Sequence, residues 1–121
     1  MIRKDEHGYT PEEVFPFVIL GNNKAKVDFH GDKIKMGSQR LVNFKLHGLK
    51  CGLEGKYFYK EKTYGSKLNI YHLNLYAIDS DGNEVLMTKD HIIPKSKGGK
   101  DYIRNYQTMC TKCNCKKGDR I

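Results

Sequence analysis

Apolar residues change their spacing along this chain, and each change marks an element. Residues 10–15, TPEEVF, place Thr10 as a helix cap, Pro11 in the first turn and Glu13 three positions beyond the cap. Pro16 ends that helix after a turn or two. In KVDFHGDKIKM, Val27 and Phe29 alternate against Ile34 and Met36 around His30-Gly31-Asp32, which predicts a hairpin. SQRLVNFKLHG returns to a helical period: Ser38 caps, Leu41, Phe44 and Lys45 fall on adjacent turns, and Gly48 stops it. From Cys51 the pattern becomes β. Tyrosine-rich runs and the Asp-Gly turn of DSDGNE predict antiparallel strands near 56–62, 68–78 and 85–93. A short strand near 107–109 and a helix from about 111 follow, so the class is α+β, a small antiparallel sheet leading into a β–β–helix unit.

That last unit carries the chemistry. Asp90 and His91 are adjacent, Asn105 follows fourteen residues after His91, and Asn114 nine after that, beside Cys110-x-x-Cys113. Cutting a phosphodiester needs an activated water and a cation to absorb charge in the transition state. Asp90 offers a carboxylate and Asn114 a carbonyl oxygen, the hard ligands Mg²⁺ (or Mn²⁺) accepts while keeping waters and taking substrate phosphate. His91, with an ordinary pKa near ~6.5, can take a proton from water at neutral pH. Neighbours in a strand point to opposite faces, so Asp90 and His91 can address one phosphate only where the strand bends or ends, and Pro94 makes an end there. Asn105, closing loop 94–105, can hold loop backbone and fix the geometry of the base. Lys117, a helical turn beyond Asn114, reaches toward phosphate, as do Lys116 and Lys97.

The stretch VLMTKDHIIPKSKGGKDYIRNYQTMCTKCNCKKGD resembles the HNH endonuclease family, whose fold is called ββα-metal. The first position of its motif falls on His91, the middle one on Asn105 and the last, Asn in many members, on Asn114. The resemblance implies metal-dependent cleavage of double-stranded DNA leaving 5′-phosphate and 3′-hydroxyl ends, with a structural part for Asn105. HLNLY and DGNEVLMTKDHI look like small HNH proteins of bacteriophages, which implies a homing-type or phage-accessory role in a bacterial host cytoplasm. A homodimer or a phage protein would be the protein partner. Relatives that carry a structural zinc provide two Cys-x-x-Cys knuckles. Here Cys110 and Cys113 form the second, whereas in FKLHGLKCGLEG only Cys51 survives from the first and Gly48 stands where its partner is expected. His47, at a His-x3-Cys spacing from Cys51, could substitute as the fourth ligand; the alternative is that the upstream knuckle is lost and zinc is weakly bound or absent. Cys115 lies about 200° around a helix from Cys113 and is less suited.

Charge changes the picture in one respect. The 121 residues carry a formal net charge of +8. Residues 85–121 hold nine Lys or Arg against three Asp, six of those eight charges, as expected of a surface that meets phosphate. With 38% hydrophobic residues and no Trp, the core is small and a metal staple would help. No stretch has the ~18 apolar residues of a membrane span, and MIRKDEHGYT lacks a signal peptide's apolar region.

Each residue alone has an ordinary reading: His91 as a hydrogen-bonded surface residue, Asn114 as a helix start, the lysines as a solvated face. Asp79, Asp81 and Asn83 imitate the start of a calcium loop, but Gly82 is misplaced and no Glu closes twelve residues, which leaves a hairpin turn. Tyr57, Tyr59, Tyr71 and Tyr76 are better suited to core and cross-strand packing than to stacking on bases. The expected organisation is an N-terminal extension over 1–46 and a nuclease domain over 47–121. The rival function is a non-catalytic zinc-containing module that binds nucleic acid or protein.

Overall fold

The computed structural model describes residues 2–62 and 70–117, apart from the side chains of residues 115 and 116. The beginning of the strand expected from residue 68, the side chain of Lys116 and that of Cys115 therefore lie outside the described residues. Helix α1 (Pro11–Val14) starts as its sequence dictates: the Thr10 side chain accepts from the Glu13 amide while Glu13 reaches back to the cap. The chain continues into a 3₁₀ turn, Phe15–Phe17. Strands β2 (Val27–Phe29) and β3 (Asp32–Ile34) form the hairpin, Val27 opposite Ile34. Its two turn residues, His30 and Gly31, both have positive φ, the backbone that a tight two-residue hairpin requires. Helix α2 (Gln39–His47) is capped by Ser38 and stopped at Gly48, whose φ of 95° suits glycine and redirects the chain into β4 (Lys50–Cys51).

The sheet has the order β1 (Ile2–Arg3), β5 (Leu53–Lys62), β6 (His72–Ile78), β7 (Glu84–His91), β8 (Tyr106–Cys110), every pair antiparallel, with β4 beside β5. Strand β7 changes partner along its length. Glu84, Val85 and Leu86 pair with β6, whereas Met87 through His91 pair with Cys110 back to Tyr106. Helix α3 (Thr111–Lys117) follows β8 directly and lies against β7.

One apolar cluster joins these parts. Val14, Phe29, Met36, Leu41 and Phe44 pack with Phe58, Leu73, Leu75, Val85 and Met87, so residues on both sides of position 46 share the core. Each fully buried side chain of this size contributes about 1.5–3 kcal/mol. Across the sheet, Glu61 is buried and takes hydrogen bonds from Asn74 (2.8 Å), Tyr76 (2.6 Å) and Arg3 (3.0 Å). The expectation that the tyrosines serve core and cross-strand packing holds in part: Tyr71 packs against the core cluster, and the others give cross-strand contact. Tyr59 meets Tyr76 edge-on at 5.9 Å, but both lie on the face away from Phe58, and Tyr57 stays 44% exposed. No helix among the described residues is long and apolar enough to cross a membrane.

Candidate active site

Strand alternation sends Asp90 and His91 to opposite sides of the β7–β8 ribbon, and the register runs unbroken through Asp90↔Gln107 and His91↔Tyr106. On the α3 side, Asp90 accepts from Gln107 Nε2 at 3.1 Å and from Lys117 Nζ at 2.9 Å. Thr88, two residues earlier on the same side, accepts from Asn114 Nδ2 at 3.3 Å. That bond turns the amide nitrogen of Asn114 toward Thr88, so its carbonyl oxygen is the atom suited to a cation. On the other side, the His91 ring meets the buried Tyr106 ring at 5.0 Å, and its Nε2 lies 2.8 Å from Asp101 Oδ1. Lys95 holds the other Asp101 oxygen at 3.1 Å. The His91 bond first, then that of Lys95, keeps the Asp101 carboxyl below the usual carboxylate range. An ionised carboxylate can only accept, so His91 Nε2 carries the proton and Nδ1 presents a lone pair.

The strand ends at His91 and the chain bends over residues 92 and 93. Here the main chain of His91 meets the α3 side. Lys117 Nζ, already on Asp90, also donates to the His91 carbonyl at 2.6 Å. Asn105 laces the following loop. Its Oδ1 accepts from the Ile93 amide at 3.0 Å, and its Nδ2 donates to the carbonyls of Ile93 (3.1 Å) and Lys100 (2.9 Å).

The sulfurs of Cys51, Cys110 and Cys113 lie within 4.8 Å of one another. Tetrahedral zinc with Zn–S bonds of ~2.3 Å sets sulfurs roughly 3.8 Å apart, so the trio fits such an ion with little movement. The Cys113 amide donates to Cys110 Sγ at 3.4 Å. Burial opposes ionisation of the Cys110 thiol, but hydrogen bonds from Cys113, Cys51 and the Lys112 amide outweigh it and hold it below its ordinary value. The neighbouring Cys110 and Cys51 thiols push Cys113 up to about 11. His47 stands outside the cluster. It ends α2, where the helix packs on the 3₁₀ turn Ile103–Asn105, and its Nε2 is 2.9 Å from the Ile103 carbonyl.

A family model described as HNH endonuclease matches residues 79–121. Residues 79–121 are thus similar to the HNH endonuclease family. The match covers β7, β8, α3 and the loop between the two strands, and begins after residue 78. The HNH family is a family of nucleases, which gives the segment a nuclease-type character. Searches against curated proteins and against solved structures give no match.

The matched segment thus brings Asp90, Asn114 and Lys117 to one side of the ribbon and the His91 ring to the other, at the strand's end, with Asn105 behind the bend. Lys97 is exposed on the 3₁₀ turn Lys95–Lys97. Three contributors escaped sequence reasoning. Thr88 was accessible through the period of two from Asp90. Gln107 needed the β7–β8 register. Asp101 stands out only as the one acid among the cations of residues 94–105.

Proposed function

We propose that the protein is a metal-dependent DNA endonuclease whose centre is His91 with Asp90 and Asn114. The observation that carries this is the His91–Asp101 contact inside the HNH segment. Asp101 fixes the tautomer, so Nδ1 of His91 takes the proton from the attacking water, a contribution of roughly 10²–10⁴ in rate. Asp90 and the Asn114 carbonyl would hold Mg²⁺ or Mn²⁺. Such an ion supplies Lewis-acid stabilisation of charge on the phosphate oxygens. Asn105 keeps the bend after His91 in place through Ile93 and Lys100. Lys117 is close enough to Asp90 to change partner toward a phosphate, and Lys97 adds positive charge to the same approach. In this reading β7, β8 and α3 form the ββα-metal unit, and Cys51, Cys110 and Cys113 hold a structural zinc that ties β4 to it. A phage or homing-type setting, with a homodimer for double-strand cuts, goes with this reading.

The rival is a non-catalytic zinc module that binds nucleic acid or protein. One observation favours it: the Asp90 carboxylate already has the ammonium of Lys117 at 2.9 Å. Supercoiled plasmid separates the two. The nuclease reading expects conversion to nicked or linear DNA with Mg²⁺ or Mn²⁺ and none with EDTA. Intact plasmid across a broad range of metal and salt would leave the binding module.

A further inference from the structure

Immediately after His91, the surface turns apolar. Ile92 and Ile93 are 39% and 44% exposed, and Tyr102, from the far end of the loop, is 53% exposed. They frame a cavity of about 390 Å³ whose rim carries Lys100 and Arg104. That size lies within the ~300–1,000 Å³ range of small-molecule sites. The backbone beneath these side chains is clamped. Asn105 bonds both the amide and the carbonyl of Ile93, and the Ile92 amide donates to the Asn105 carbonyl at 2.8 Å. Gly99 closes on the same turn so tightly that a Cβ there would fall 1.7 Å from the Ile93 carbonyl oxygen. The Arg104 guanidinium stands 5.1 Å from the Tyr102 ring centre. The result is a rigid apolar recess with a flat aromatic wall and a cationic lip.

We propose that this recess receives one nucleobase displaced from the stack beside the scissile phosphate. It rests on the nuclease reading, because its neighbour His91 defines where the phosphate lies. Tyr102 offers a stacking face that any base can use, and Ile92 and Ile93 exclude water from the other sides. Lys100 and Arg104 meet the phosphates on either side of the displaced nucleotide. The positive lip selects DNA over a second copy of this chain, which would bring the same cations to the contact. Unstacking costs least at a mismatched or unpaired base, and that difference makes the recess testable.

The probe is a duplex carrying 2-aminopurine at successive positions, bound in EDTA, with Tyr102→Ala and Ile93→Ser compared with the wild type. Wild-type protein should raise the fluorescence at one position, and both variants should lose the rise while keeping their fold. In cleavage, Tyr102→Ala should slow cutting of the paired duplex by roughly tenfold or more. A duplex with an unpaired base at that position should restore its rate to near the wild-type value. No fluorescence rise with wild-type protein, or equal slowing on paired and unpaired duplexes, overturns the recess. A fluorescence rise without cleavage keeps the recess and removes the nuclease reading. Cleavage without a rise does the reverse.

Discussion

Asp101 is half exposed and pairs with both His91 and Lys95, so its contribution to stability is small while its effect on His91 is direct. Replacing it with Ala should leave DNA affinity within about twofold and reduce single-turnover cleavage by roughly tenfold, since the tautomer is no longer fixed. Asp101→Glu should recover part of that rate, which a purely structural side chain would not do. At this scale the sequence was most legible where residues stand in a motif's order. Asp90, His91, Asn105 and Asn114 could be proposed as site residues because they stand in the order of the HNH motif. Asp101 could not, since its relevance appears only when the loop folds back ten residues onto His91. His47 stands outside the cysteine cluster for a related reason. Its spacing from Cys51 is suitable, but Gly48 turns the chain between them and the imidazole remains with Ile103.

The bend after His91 depends on one side chain, and the cysteine cluster depends on three elements meeting. Asn105→Ala strips partners from the Ile93 amide and from the Ile93 and Lys100 carbonyls. It should lower unfolding stability by about 1–3 kcal/mol, toward the lower end because the turn is partly hydrated. Chemical denaturation checks this. Cys51 comes from β4, Cys110 from the end of β8 and Cys113 from the first turn of α3. Elemental analysis should therefore find one tightly held zinc per chain, and Cys110→Ser should remove it and strongly destabilise the β8–α3 end. A metal-free protein in which Cys110→Ser melts like the wild type would dismiss the zinc. Caps and turns were legible element by element: Thr10, Ser38, Gly48 and the Asp79 turn act as their residue types dictate. The division of β7 between two partner strands was not legible, because its apolar alternation is the same whichever strand lies beside it.

Across the whole molecule, the buried carboxylate has a measurable consequence. Burial opposes ionisation of Glu61, but bonds from Tyr76, Asn74 and Arg3 outweigh it and hold its carboxyl below the usual range. A depressed folded-state pKa contributes stability above the unfolded value, ~4.3, that is lost as pH falls through the folded one. Glu61→Gln should be less stable at neutral pH by on the order of 1–3 kcal/mol, and its melting temperature should fall less than that of the wild type below about pH 4. Burial, and then the same carboxylate, pushes the Tyr76 phenol up to about 12, so that phenol stays neutral throughout this window. The overall α+β class was legible from periodicity. The sharing of one core by residues before and after position 46 was not, since Phe29, Leu41 and Phe58 carry no mark of which partner they will meet.

Under the proposed function His91 performs chemistry rather than binding. Single-turnover cleavage and DNA affinity measured side by side for the wild type and His91→Ala test it most directly. The expected result is a loss of roughly 10²-fold or more in cleavage at unchanged affinity and unchanged melting temperature. Cleavage by His91→Ala at the wild-type rate, or affinity lost in proportion to rate, would contradict it.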